Sequence, residues 1–191
     1  MAWSEIIIEG PRAAATAFVA GYLAAQARDT DHVVWEHEAG LPVGSFVNRI
    51  ATVLSAERHH GFFAPEPLAS EIATAIERRG QAAELRAERS IAITRVRFDF
   101  HAEAFVEDLA SELRALLRKL PSGTKLENLK TGEETDAAAA GVELYSPRHD
   151  FSFTMSGRAR SDDGSALLLL KKLHAYDCVK IEDVKIETAT A

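Results

Sequence analysis

The stretch Ser90–Phe105 reads SIAITRVRFDFHAEAF, and its alternation decides how the rest of the chain is organised. Val96, Phe98 and Phe100 share one face at the two-residue period of a strand, while Arg97, Asp99 and His101 share the other. Ile91 and Ile93 sit in the opposite phase. A slip of one residue exchanges the faces of a strand, so the change near Thr94 and Arg95 means either a bulge or a strand passing from one core to another. We favour the second: the stretch joins two units.

Working towards the N-terminus, Gln81–Glu88 bridges back to a helix carrying Leu68, Ile72, Ala75 and Ile76, opened by Glu66-Pro67 and stopped at Gly80. His59–Ala64 reads as a short extended piece, and Ser45 as the N-cap of a helix through Phe46, Val47, Ile50, Val53 and Leu54. Before it, His32–Glu38 reads as a strand ended by Gly40, Pro42 and Gly44. The chain begins with a β-rich run, Trp3–Glu9, which Gly10-Pro11 turns into a helix reaching about Ala27.

Towards the C-terminus, Glu103–Leu120 has helical spacing in Phe105, Val106, Leu109, Leu113, Leu116, Leu117 and Leu120. A hairpin-like Lys125–Thr131 and a loop over Gly132–Gly141 follow, then a strand over His149–Ser156. Asp162-Asp163-Gly164 turns into a helix through Leu167, Leu170 and Leu173. The last strand, Cys178–Thr188, changes phase between Ile181 and Val184, which implies a bulge.

From Ser90 the order is strand, helix, strand, strand, helix, strand, and the first half offers the same plan with one extra helix. By order of elements the chain resembles two ferredoxin-like α/β sandwich units in tandem, an α+β fold with antiparallel sheets and helices on one face. It also resembles several small uncharacterised bacterial proteins. The expected units are 1–89 and 90–191. The resemblance implies that the first and third strands of a unit are neighbours, placing Arg97, Asp99 and His101 beside Ser152, Thr154 and Ser156. As the superfold serves many roles, it assigns no function by itself.

The 191 residues are 47% apolar with a formal charge of −7, enough for a packed core and unfavourable for a phosphate backbone. The single cysteine, Cys178, excludes an intramolecular disulfide and any multi-cysteine centre, and suits a reducing cytoplasm. No basic leader or long apolar run is evident, so a soluble, unexported protein is expected, with no membrane partner.

Gly40-Leu41-Pro42-Val43-Gly44 has two glycines, but its proline and the missing lysine spoil a P-loop reading, no nucleophile elbow occurs, and no cofactor is implied. RVRFDF differs from an RNA-recognition motif in lacking its glycine and in placing Phe98 and Phe100 on the core phase, so no nucleic-acid partner is expected. His32, Glu36, His59 and His60 could contribute to a metal site, although none lies in a helical HExxH arrangement; the bland reading is surface histidines and edge charges.

Arg97, Asp99 and His101 with Ser152, Thr154 and Ser156 form the candidate ligand site. A guanidinium, a carboxylate and an imidazole near hydroxyls suit a small anionic or zwitterionic metabolite. The stronger reading of the same row is the bland one, a solvated or self-associating sheet face. The expectation is therefore a non-enzymatic interaction, structural or regulatory module that associates with itself or another protein. A metabolite-binding or sensing protein is the alternative, and acid-base catalysis by His101 with Asp99 the third reading.

Overall fold

Ile6, Ile7 and Ile8 are consecutive, and three successive apolar residues in a strand require apolar surroundings on both of its faces. The computed structural model meets that requirement: every residue of β1 (Trp3–Glu9) is buried except the half-buried Glu9. It describes residues 2–41, 55, 57–104, 112, 115–120, 123–137, 145–148 and 152–189, with backbone alone at 88–90, 103–104, 145–148 and 152–155.

The remaining elements are α1 (Arg12–Ala25), β2 (Val34–Trp35), β3 (His59–Pro65), α2 (Leu68–Arg79) and β4 (Arg86–Ala104). They are followed by a helical stretch at 115–119 (α3), β5 (Lys125–Glu127), β6 (Glu134–Asp136), β7 (Tyr145–Arg148), β8 (Ser152–Ser161), α4 (Ala166–His174) and β9 (Val179–Thr188). The fold is α+β, and hydrogen bonds link its nine strands in the path β2-β3-β1-β4-β8-β5-β6, with β7 on β8 and β9 on β4. No described helix is long and apolar enough to cross a membrane. The chain divides into two compact units, residues 1–94 with 187–191, and residues 95–186.

In the first unit β1 pairs antiparallel with β3 on one side and with Arg86–Ile93 of β4 on the other. β2 adds to the far edge of β3. One sheet face, through Ile6, Ile8, Phe62 and Ala64, packs with Ala15, Val19 and Leu23 of α1 and with Leu68, Ile72 and Ile76 of α2. Side chains of this size each contribute about 1.5–3 kcal/mol when fully buried. The opposite face carries Trp3, Ile7, Phe63 and Ile93, all buried as well.

The expected strand over His32–Glu38 is reduced to Val34–Trp35, between 3-10 turns at Thr30–His32 and Glu36–Ala39. Local hydrogen bonds explain the difference. The Asp29 carboxylate accepts from the Asp31 N–H at 3.2 Å, and the Glu38 carboxylate reaches back to the Trp35 N–H at 3.3 Å. Gly40 then closes the second turn at φ 69°, a left-handed conformation that glycine adopts without steric cost. By contrast, the short piece expected at His59–Ala64 is a full seven-residue strand paired on both sides.

In the second unit Val96–Ala104 of β4 pairs with β8, β8 with β5 and β7, β5 with β6, and β9 with β4. Val96, Phe98, Phe100 and Ala102 are buried, as their phase requires, together with Ala159, Leu126 and Leu117 and with Leu167, Leu170 and Leu173 of α4. In β4 the burial phase changes between Ile93 and Val96, across exposed Thr94 and Arg95, at the boundary of the two units. β9 changes phase at Glu182-Asp183, where Asp183 has φ 51°, the left-handed residue of a bulge. The expected Ser45-capped helix, residues 105–111 and 113–114 of the Glu103–Leu120 helix, 138–141 of the loop and His149–Phe151 lie outside the described residues. Glu103 and Ala104, expected in that helix, end β4 instead because they continue its pairing with β8.

Candidate functional site

Register decides what the row Arg97, Asp99 and His101 meets. β8 runs on through Gly157–Ser161, so β4 pairs with its C-terminal part: Arg97 is opposite Arg160, Asp99 opposite Arg158 and His101 opposite Ser156. Thr154 falls opposite Glu103, and Ser152 pairs with Arg148 of β7. Of the three hydroxyl residues only Ser156 stands beside the row. The sequence reading stopped the strand at Ser156 and so overlooked the two arginines.

Asp99 is engaged by Arg158 through both oxygens, Nε donating to Oδ1 at 2.7 Å and Nη2 to Oδ2 at 3.0 Å. This fork is the strongest geometry available to a surface carboxylate. Glu127 lies 3.5 Å from the other Nη of Arg158. The bond to Asp99 first, and then the charges of Asp99 and Glu127, hold the Arg158 pKa above its ordinary value. Arg160 donates from Nη2 to Glu134 at 3.0 Å, and Lys125 lies 3.5 Å from Asp136.

Two rows of charge therefore cross β4, β8, β5 and β6. The first is Arg97, Arg160, Lys125 and Asp136; the second is Asp99, Arg158, Glu127 and Glu134. Arg160, Lys125 and Arg158 each have an acidic partner. Arg97 stands directly across from another arginine, and its buried Nε has no hydrogen-bond partner among the described residues. Like charges directly opposite each other on a sheet repel. His101, the candidate acid-base group, is exposed.

The four candidate metal residues do not converge. His32 is exposed and donates from Nδ1 to the Asp29 carbonyl at 3.0 Å; His59 Nδ1 accepts from the Ser55 N–H at 3.2 Å. His60 is buried on the helix side of β3, its Nε2 donating to the Gly10 carbonyl at 3.0 Å, and burial lowers its pKa. Glu36 lies on the other side of the sheet, over Gly61. No group of three potential ligands occurs among the described residues.

Glu36 belongs instead to an arrangement the sequence reading missed. Glu5 on β1 and Glu36 in the 3-10 turn after β2 are 0% and 1% exposed, and their carboxyl groups meet. Burial first, and then the hydrogen bond and charge of Glu36, push the Glu5 pKa up to about 9. Apart from Glu36, neither oxygen of Glu5 has a hydrogen-bond partner among the described residues. The space for the pair comes from Gly61, where a Cβ would overlap the Glu36 carboxyl group. The available signal was Glu5 next to Ile6-Ile7-Ile8, a carboxylate on a strand that must be buried on both faces.

No protein-family model, curated protein or solved structure matches the chain. The chemistry rests on the residues alone. Two carboxyl groups sharing a dry site hold a proton well above its usual range, and Arg97 has no carboxylate partner among the described residues.

Proposed function

We propose that the chain is a non-enzymatic binding module of two ferredoxin-like units whose second unit recognises a small anionic group through the polar face of its sheet. The finer fold assignment is supported by strand order. In the first unit the first and third strands, β1 and β3, are central neighbours flanked by β4 and β2; in the second β4 and β8 are central neighbours flanked by β9 and β5, with β6 and β7 as additional strands. Helices follow the first and third strands in both units.

The observation that carries the binding reading is Arg97. In a face where the other cations of both rows are matched by carboxylates, its Nε is buried without a partner among the described residues and faces Arg160 across the ladder. A carboxylate or phosphate placed between Arg97 and Arg160 would supply the absent acceptor and relieve the repulsion.

A second reading, self-association, is favoured by the signs of the rows. One carries three cations and an acid, its neighbour three acids and a cation. A two-fold related copy would lay each row over the other of opposite sign, as an isologous interface requires.

Calorimetric titration of the full chain with inorganic phosphate and with citrate at low salt tests the first reading, and sedimentation of the same samples tests the second. Saturable anion binding that disappears in Arg97→Gln supports the first. A salt-sensitive dimer weakened by Arg97→Glu supports the second. A monomer that binds neither anion rejects both.

A further inference from the structure

We propose that Glu5 and Glu36 hold one proton between them across Gly61, and that this proton fastens the 3-10 turn Glu36–Ala39 to the sheet, making the first unit sensitive to pH. Two carboxyl groups form a hydrogen bond only while one carries the proton, because an ionised carboxylate has no donor. Ionising both would place two negative charges side by side where neither is exposed to water. The turn has little to absorb that repulsion: Trp35 at its start is packed on Phe62 with ring centres 5.3 Å apart, and Leu41 at its end donates to the Glu36 carbonyl at 2.8 Å.

Among the described residues, the groups on the face of the pair come from β1, β3, β4 and the segment around β2. From β1 the same face presents Trp3, Ile7 and, at the strand end, Glu9, which is engaged by Arg58 at 3.2 Å. From β3 it presents His59, Gly61 and Phe63, and from the segment around β2 Val34 and Glu38, the latter bonded to the Trp35 N–H. From β4, Ile91 is opposite Glu5, and Arg89 holds the register position opposite Ile7. His60 belongs to the other face.

The direction of the pH effect follows from where Glu5 titrates. Its folded pKa, about 9, lies above the ordinary carboxylate range, so the folded chain holds a proton that the unfolded chain has released. Stability is fully present below the ordinary carboxylate pKa, falls as pH rises, and stops falling once Glu5 has ionised in the fold. His60 acts oppositely: its folded pKa is lowered, so it adds stability as pH rises, and only up to its ordinary pKa of 6.5. Above neutrality His60 no longer contributes, and the difference between wild type and Glu5→Gln reports the carboxyl pair.

The test is urea unfolding of the full chain from about pH 7 to about pH 8.5, for wild type and Glu5→Gln, whose amide retains a donor for Glu36 but cannot ionise. The unfolding constant of wild type relative to Glu5→Gln should rise about tenfold per pH unit, and the protection of the amides of Val34–Gly40, relative to their intrinsic base-catalysed exchange, should fall in wild type alone. Parallel pH profiles for the two proteins would overturn the proposal. Should the variant fail to fold, carbon NMR of wild type labelled in its glutamate carboxyl groups decides the matter. A resonance titrating above neutrality supports the shared proton, and titration of every glutamate in the ordinary range rejects it.

Discussion

Glu5 and Asp99 are both carboxylates on central strands, but they occupy opposite physical worlds. Asp99 faces the Arg158 guanidinium at 2.7 Å, with side-chain exposures of 18% and 26%, and its charge is answered within its own unit. Glu5 faces another acid, with no exposure at all. A carboxylate near water and opposite an arginine is held at little cost; one in a dry strand must shed its charge or weaken the fold. The second unit has spread its charges over a sheet face, while the first has concentrated two where they conflict. Sites that break the local rules of stability are where function is expected to reside.

The largest consequence is in the first unit. If Glu5 is protonated in the fold and ionised in the unfolded chain, the advantage of Glu5→Gln over wild type grows by about 1.4 kcal/mol per pH unit above the ordinary carboxylate range. It levels off near the folded pKa of about 9. Denaturant midpoints across that range measure it, and a variant less stable than wild type at alkaline pH would erase the contrast with Asp99.

Gly61→Ala comes next. A Cβ at this position overlaps the Glu36 carboxyl group, so the turn must move or the strand must bend. Overpacking of this kind costs about 1–3 kcal/mol. The same substitution at exposed Gly132, where a Cβ would meet nothing within 4 Å, separates steric conflict at the pair from the general effect of replacing glycine, although its φ of 72° adds backbone strain of its own. Thermal unfolding of both variants provides the comparison, and the contrast is sharper if Gly61→Ala loses less when combined with Glu36→Ala.

How much of this could be read from the sequence differs between the two regions for the same physical reason. The β4 side of the ladder face was legible because alternation in Arg95–Ala102 separates core from solvent, and Val96, Phe98 and Phe100 are buried where the period puts them. Its partners were not legible, since register depends on where β8 ends and alternation alone does not set that point. The acid pair escaped notice because its halves come from distant segments, and Glu36 was assigned to a strand. Only the side-chain hydrogen bonds of Asp29 and Glu38 convert that segment into turns and bring Glu36 over Gly61.

On the ladder itself effects should be small. Asp99→Asn removes the fork from Arg158 but leaves Glu127 as a partner, so a loss of about 1 kcal/mol or less is expected, shrinking as salt is added. A much larger loss, independent of salt, would mean that Asp99 behaves like Glu5 and that the distinction between the units is false.

The smallest effect on stability belongs to Arg97, and it is the most informative. Its Nε makes no hydrogen bond among the described residues and its neighbour across the ladder is a second arginine, so Arg97→Gln should leave the thermal midpoint unchanged or raise it slightly. Arg158→Gln, which removes a residue bound to two acids, should lower the midpoint instead. If Arg97 serves an external anion, its replacement abolishes phosphate or citrate binding without any loss of stability. Arg158→Gln should weaken the fold more than the binding. A residue maintained for the fold cannot give that pattern, because its removal would register in the midpoint first. A measurable drop in the midpoint of Arg97→Gln would therefore return the whole ladder to a structural role.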